Sequence, residues 1–173
     1  MEIGIEFKLL NILLAEERMA KLVGIAITPK LLAPMQEIQQ AIIEVDSGIQ
    51  GDARGSKRNR QISILFEDDW IDACEEIGIK LPWTTRRANL FVSGIRAPKT
   101  PGLTFQINDV ELVVAVETDP CDLMDKQFNG LQSALKPDWR GGVCCTVSKR
   151  GQISVGDEIS FEIAETCLRT HQN

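Results

Sequence analysis

Residues Leu103 to Met124 read "LTFQINDVELVVAVETDPCDLM". "LTFQI" and "VELVVAVE" are rich in β-branched and apolar residues, and Asn108-Asp109 between them suits the short turn of a hairpin. A hairpin is a unit of antiparallel sheet, so this stretch points to the fold class. The second run stops at Thr118-Asp119-Pro120, and a cysteine follows. Most buried cysteines behave as small hydrophobes inside apolar runs. Cys121 is not in such a run, and its placement poses the functional question.

Working outward, "LVGIAI" (22–27) is an apolar run stopped by Thr28-Pro29, and "AIIEV" (41–45) is one stopped by Asp46-Ser47-Gly48. Both read as strands. Gly48 to Asn59 holds three glycines, Asp52 and the first basic residues with no hydrophobic period, which reads as a surface loop. A strand resumes with "RQISILF" at about Arg60. "EDDWIDACEEIGI" then spaces Trp70, Ala73, Cys74 and Ile77 at helical intervals, places acids in its first turn and reaches Gly78 where a C-terminal cap belongs. "ANLFVSGI" (88–95), "GVCCTVS" and "QISVGDEISFEI" are further strands, with turns at Lys149-Arg150-Gly151 and Gly156-Asp157. In "DLMDKQFNGLQSALK" the residues Leu123, Phe128, Leu131 and Leu135 fall near helical spacing. Seven or so strands, two or so interrupting helices and no βαβ alternation predict a mainly β fold, an antiparallel β-barrel.

The bulk properties fit one such domain over 19–173: 173 residues, 43% hydrophobic and 25% charged. Five cysteines cannot all pair within the chain, which argues for reduced thiols and a cytoplasmic location. A net charge of -6 makes the chain as a whole a poor nucleic-acid ligand, although Arg54, Lys57, Arg58 and Arg60 are gathered. The single histidine, His171, is the third residue from the C-terminal end, which argues against Ser-His-Asp or Cys-His catalysis and a histidine-rich metal site.

Residues 1–18 form an N-terminal extension with two readings. They lie upstream of a native start at Met19, or they add a strand or amphipathic helix to the domain. The apolar stretch is broken by Glu6 and Lys8 and is too short to span a bilayer, so no membrane anchor is expected.

With Asp119 as N-cap and Pro120 as first helical residue, Cys121 would occupy the first turn of a helix, where free N–H groups favour a thiolate. Asp119 and Asp122 oppose this by charge repulsion, and a cation from elsewhere in the fold would decide the balance. The bland alternative is a passive cap residue. Cys144 and Cys145 are adjacent in a strand and face opposite sides of it, which favours structural roles for both. Cys74 belongs to a buried helix face, and Cys167 to a polar tail. "KRNRQISILF" and "PWTTRRANLF" each bring cations to the start of a strand, and Arg60, Arg86, Arg87 and Asn89 there suit an anionic or polar ring ligand. Solvated strand ends carry the same composition.

The succession "GDARG", "RNRQISILFED", "PWTTRRANLFVSGI", "VELVVAVETDPCDLM", "RGGVCCTV" and "GQISVGDEISF" resembles the MOSC domain, the module at the C-terminus of molybdenum cofactor sulfurases, which also occurs as small bacterial proteins. The resemblance runs from about Leu22 to Ile163, and Arg87 to Leu90 with the Pro120-Cys121 pair are its most specific parts. It implies a barrel of the pyruvate-kinase-barrel type, with Cys121 as catalytic residue, carrying sulfur as a persulfide or ligating molybdenum. It implies that Arg60, Arg87 and Asn89 bind a molybdenum-molybdopterin cofactor. No pyridoxal phosphate is implied, because the desulfurase domain of full-length sulfurases is not matched. Sulfur would come from a separate donor such as a cysteine desulfurase, or electrons from a redox partner. Asp119 stands where some members have an arginine. The rival readings are a non-catalytic module that binds an anionic small molecule or protein partner, and a cysteine-dependent transferase, which the lack of a histidine base disfavours.

Overall fold

The structure is a computed structural model that describes residues 19–162. The two readings of residues 1–18, and those of Cys167 and His171, lie outside the described residues.

The hairpin forms as the sequence predicts. β7 (Thr104–Ile107) and β8 (Val110–Glu117) pair antiparallel in the numbering of strands along the chain, with Ile107 opposite Val110, and Asn108 makes the turn at φ 52°. The period-2 pattern assigns the faces: Val110, Leu112 and Val114 point inward from β8 and are buried, while the residues between are partly exposed. β9 (Val143–Lys149) continues the sheet beside β8, and β5 (Ile62–Phe66) lies beyond it. β6 (Leu90–Ser93) and β1 (Ala20–Ile27) follow, and β11 (Glu158–Glu162) joins β1 back to β7. The contact of Ala20 with Ile159 closes a seven-stranded barrel.

β1 alternates inward Ala20 and Leu22 with outward Lys21 and Val23, then shifts register between Leu22 and Gly24. Beyond that bulge the strand also carries β2 (Gln36–Ile38) on its free edge. β3 (Gln40–Glu44), β4 (Gly48–Ile49) and β10 (Gly151–Ser154) form a separate three-stranded sheet. The barrel interior is filled by Leu22, Ile25, Ile64, Phe66, Leu90, Phe105, Leu112 and Cys145, among others, each fully buried. Each such aliphatic side chain contributes roughly 1.5–3 kcal/mol relative to exposure.

Three features differ from the sequence reading. β5 and β6 run parallel and are joined by the helix α1 (Glu67–Glu76), so the barrel contains one βαβ crossover. Parallel strands cannot be joined by a hairpin, and this pairing is invisible to local patterning. The second helix is split into α2 (Leu123–Gln127) and α3 (Leu131–Leu135), because the chain turns at Gly130 with φ 87°. The stretch from Gly48 to Asn59 is not simply a surface loop: it contains β4, and Gly55 is buried so close to Ser47 that a Cβ there would lie 1.8 Å from its carbonyl oxygen.

α1 is as expected, with Trp70, Ala73 and Cys74 buried. Gly78 at φ 72° donates to the Glu75 carbonyl, and Ile79 donates to that of Cys74, closing the helix with a Schellman motif. The buried face of α1 meets Met124, Leu131 and Leu135 over the outer side of β5 and β6, forming a second core. No helix among the described residues is long and apolar enough to cross a membrane.

Candidate functional site

The crossover from α1 to β6 contains a 3-10 turn at Trp83–Arg86. Trp83 stacks on Phe91 with ring centroids 5.2 Å apart, and its ring lies against Gly24, where a Cβ would approach to 2.7 Å. The turn is thereby fastened to β1 and β6. Arg87 ends it in the left-handed region at φ 64°, reversing the chain so that Arg86 and Arg87 have different surroundings.

Arg86 is 7% exposed. Its Nε donates to Gly141 O at 3.0 Å and one Nη donates to Thr118 O at 2.9 Å, while the other lies 3.8 Å from Met124 Sδ. Burial pushes its pKa down, and the sulfurs of Cys144 and Cys121 oppose that shift, as does Asp119 more weakly. Guanidinium remains charged under such conditions. A cation therefore sits beneath the Thr118–Cys121 loop.

That loop is held at several points. Thr118 N–H donates to Gly142 O at 2.9 Å, and Gln132 Nε2 donates to Pro120 O at 3.2 Å. Gly141 packs so tightly that a Cβ would fall 2.5 Å from Thr118 O and 3.2 Å from the Arg86 guanidinium. The side chain of Cys121 is exposed. The expected first-turn position is not found: α2 starts at Leu123 and Asp122 takes the N-cap place, so Cys121 precedes the helix, its carbonyl accepting from Met124 N–H at 2.9 Å. Folding Met124 into the second core sets the helix start there, and five residues supply little dipole. Arg86 is a cation brought to this loop from elsewhere in the fold, bonded to its Thr118 carbonyl.

Cys145 points into the barrel and Cys144 points out, as adjacent strand residues must. Cys144 Sγ lies 3.2 Å from Thr118 Oγ1, which brings a second thiol to the base of the loop. Across the sheet Cys144 is opposite Ser63. Ser63 N–H and hydroxyl both meet Asn89 Oδ1 at 3.1 Å, and Asn89 Nδ2 donates to Ala26 O at 3.2 Å. Asn89 is thus fully engaged with β1 and β5, close beneath the thiol region.

Arg87 is half-buried, and its guanidinium makes no hydrogen bond or ion pair among the described residues. Burial and then Arg54 lower its pKa, with Asp52 opposing. Arg54 donates to Arg87 O at 2.6 Å and contacts Asp52 at 3.4 Å, yet its buried Nε has no partner. Arg60 is exposed on the turn before β5, and its side chain makes no hydrogen bond or ion pair with Cys121, Arg87 or Asn89. Of the four residues singled out from sequence, Arg87 and Asn89 adjoin one another in the chain and Cys121 joins them through Arg86, Thr118 and Cys144; Arg60 stands apart from these contacts. Sequence reasoning paired Arg86 with Arg87 without showing which one turns inward, and nothing in "GVCCTV" marks the outward cysteine.

A groove of about 770 Å3 lies elsewhere, lined by Trp70, Ile71, Cys74, Leu81, Trp83 and Phe91. Its lining includes neither Cys121 nor Arg54, Arg60, Arg86 or Arg87. Among the described residues no three His, Cys, Asp or Glu side chains gather as a metal site.

A closed barrel with one βαβ crossover and a thiol-bearing loop over a buried arginine defines the architecture. Residues 50–160 match the MOSC domain, and the chain belongs to that family, which is associated with the molybdenum cofactor. No curated protein matches the sequence. Among solved structures, the chain is similar to the YuaD protein from Bacillus subtilis, with 20% identity and a TM-score of 0.74 over 85% of this chain and 97% of that one. It is also similar to YiiM from Geobacillus stearothermophilus, at 14% identity and a TM-score of 0.68 over 83% and 75% of the two chains. YiiM from Escherichia coli follows at 12% identity and 0.64, over 83% and 70%. At these identities the likeness concerns the fold.

Proposed function

We propose that Cys121 is the sulfur atom through which this protein acts, carrying sulfane sulfur as a persulfide for a metal-sulfur centre. The observation behind this reading is an exposed thiol on a loop clamped over the buried guanidinium of Arg86. The Cys121 thiolate attacks the outer sulfur of a donor persulfide. The donor S–S bond breaks, its thiolate departs, and the sulfane sulfur is bonded to Cys121 Sγ with no net oxidation. Arg86 supplies positive charge where the transferred, anionic sulfur resides, and it fixes the Thr118 and Gly141 carbonyls on either side of the loop.

A second reading is favoured by Arg54, whose buried Nε lacks a partner beside the unpaired Arg87 guanidinium. Such donors suit the phosphate of a molybdopterin, and one exposed thiolate suits a molybdenum whose other ligands come from the pterin. The donor set fits the group: Arg54 and Arg87 would hold the phosphate and Cys121 would complete the metal's ligation. When bound, that cofactor supplies two-electron oxygen-atom chemistry. This chain's residues would orient it and neutralise its charge.

The two readings separate on protein made in a cofactor-replete host. Intact-mass spectrometry should show a 32-Da adduct (about one sulfur atom) on wild type and none on Cys121→Ser; metal analysis should show molybdenum instead if the second reading holds. Equal sulfur and metal content in wild type and Cys121→Ser would sink both.

A further inference from the structure

We infer that the Lys30–Ala33 turn, with the cationic connection beside it, is the docking surface for an acidic protein that exchanges sulfur with Cys121; the inference rests on the proposed sulfur-carrying role. Ala33 N–H donates to Lys30 O at 3.1 Å, closing a four-residue turn whose central residues are Leu31 and Leu32. These leucines are 67% and 79% exposed, the most exposed large apolar side chains among the described residues. Leu32 adopts φ 65°, the left-handed region that turns normally fill with glycine or asparagine. The turn nevertheless has a built base. Thr28, fully buried, places Oγ1 2.6 Å from Lys30 O and 3.1 Å from Ala33 O, and its N–H donates to Asp52 at 2.8 Å. Pro29 and Pro34 bracket it. A rigid turn that spends backbone strain on displaying two leucines to water has no return within the fold.

The charge around the turn indicates the partner. Ala53 N–H donates to Thr28 O at 2.8 Å, so the connection from β4 to β5 packs directly on the turn. That connection carries Arg54, Lys57, Arg58 and Arg60, and Lys30 and Arg87 adjoin it. Lys30, Lys57, Arg58 and Arg60 are exposed with no ion pair among the described residues. Of the acids nearby, Asp52 is occupied by Arg54 and Thr28 N–H, while Asp46, beside the Ser47 that packs on Gly55, and Glu37, opposite Ala26, are exposed and outnumbered by the cations. On a chain of net charge -6 this is a local reversal of sign. An apolar pair within a basic rim matches an acidic protein surface with an apolar spot. A nucleic acid is repelled by the rest of the chain and finds no aromatic platform for its bases in two leucines, which are also a small anchor for a bilayer. The connection is also tied to the segment that holds the thiol loop, since Arg54 bonds to Arg87 O and the preceding residue, Arg86, bonds to Thr118 O.

The test uses the full chain and a purified cysteine desulfurase, the class of protein that carries such a persulfide. The wild type should bind it with an affinity that falls as salt is raised. Leu31→Ser combined with Leu32→Gly should weaken binding tenfold or more, and Lys57→Glu with Arg58→Glu should weaken it and flatten the salt dependence. Leu32→Gly alone is the discriminating variant: glycine suits φ 65°, so Tm should hold or rise while binding weakens, a combination that a purely structural turn does not give. All variants should accept sulfur on Cys121 from inorganic polysulfide at the wild-type rate. No wild-type binding, or variants that bind like wild type, overturns the inference. Loss of binding to phosphatidylserine vesicles in place of the desulfurase overturns it in favour of a membrane contact. If wild type binds desulfurase but takes no sulfur from polysulfide, the docking surface stands and the sulfur-carrying role falls.

Discussion

Arg86 is a buried cation that ties the Gly141 and Thr118 carbonyls together. Truncation to alanine strands the Gly141 and Thr118 carbonyls and opens a void beneath Met124. Arg86→Ala should therefore cost about 2–4 kcal/mol of stability, read by urea denaturation. Arg86→Lys keeps the charge but loses the fork, and should fall between. Cys121→Ser, in contrast, should leave the urea midpoint unchanged, because the site is exposed. Cys145 gives a pH prediction. Burial, followed by Cys144, raises its thiol pKa. The folded protein keeps this proton where the unfolded chain releases it, so the stabilisation is complete below the ordinary thiol range, about pH 8.5, and declines as pH rises above it. Cys145→Val should flatten the loss of stability between neutral and alkaline pH, and an unchanged slope would refute the assignment.

Among the elements, the Thr118–Cys121 loop depends on its closest neighbour. Gly141→Ala places a methyl group 2.5 Å from Thr118 O, an approach that backbone atoms cannot absorb without moving. It should slow sulfur loading of Cys121 and lower Tm together. Gly78→Ala is the control: it meets no atom within 4 Å and pays only for φ 72°, about 1 kcal/mol, so it should lower Tm without changing reactivity at Cys121. The cap at Gly78 was legible because a Schellman motif is written in a few consecutive residues. The break between α2 and α3 was harder to see, since Leu123, Phe128, Leu131 and Leu135 keep near-helical spacing across it.

For the whole molecule, closure of the barrel uses only strands between Ala20 and Glu162. A chain beginning at Met19 should accordingly fold and melt with the full-length protein; a large drop in Tm would show that Ile5, Phe7 and Leu9 pack on the barrel. The closing contact is between the first and last strands of the described residues, so the barrel should fold more slowly than a hairpin-built sheet of equal size.

Strand alternation, the β7–β8 hairpin, the apolar face of α1 and the isolation of Cys121 from apolar runs were all determined by the sequence, because each is a pattern within about ten residues. Tertiary structure decided the rest. The parallel pairing of β5 with β6 joins strands separated by a helix and a long connection, and only closure of the barrel selects it. The left-handed turn at Arg87 sends Arg86 inward, where residues more than thirty positions away receive it. Two adjacent arginines look alike in a sequence because their charge is local, whereas burial depends on which distant carbonyls arrive to meet them.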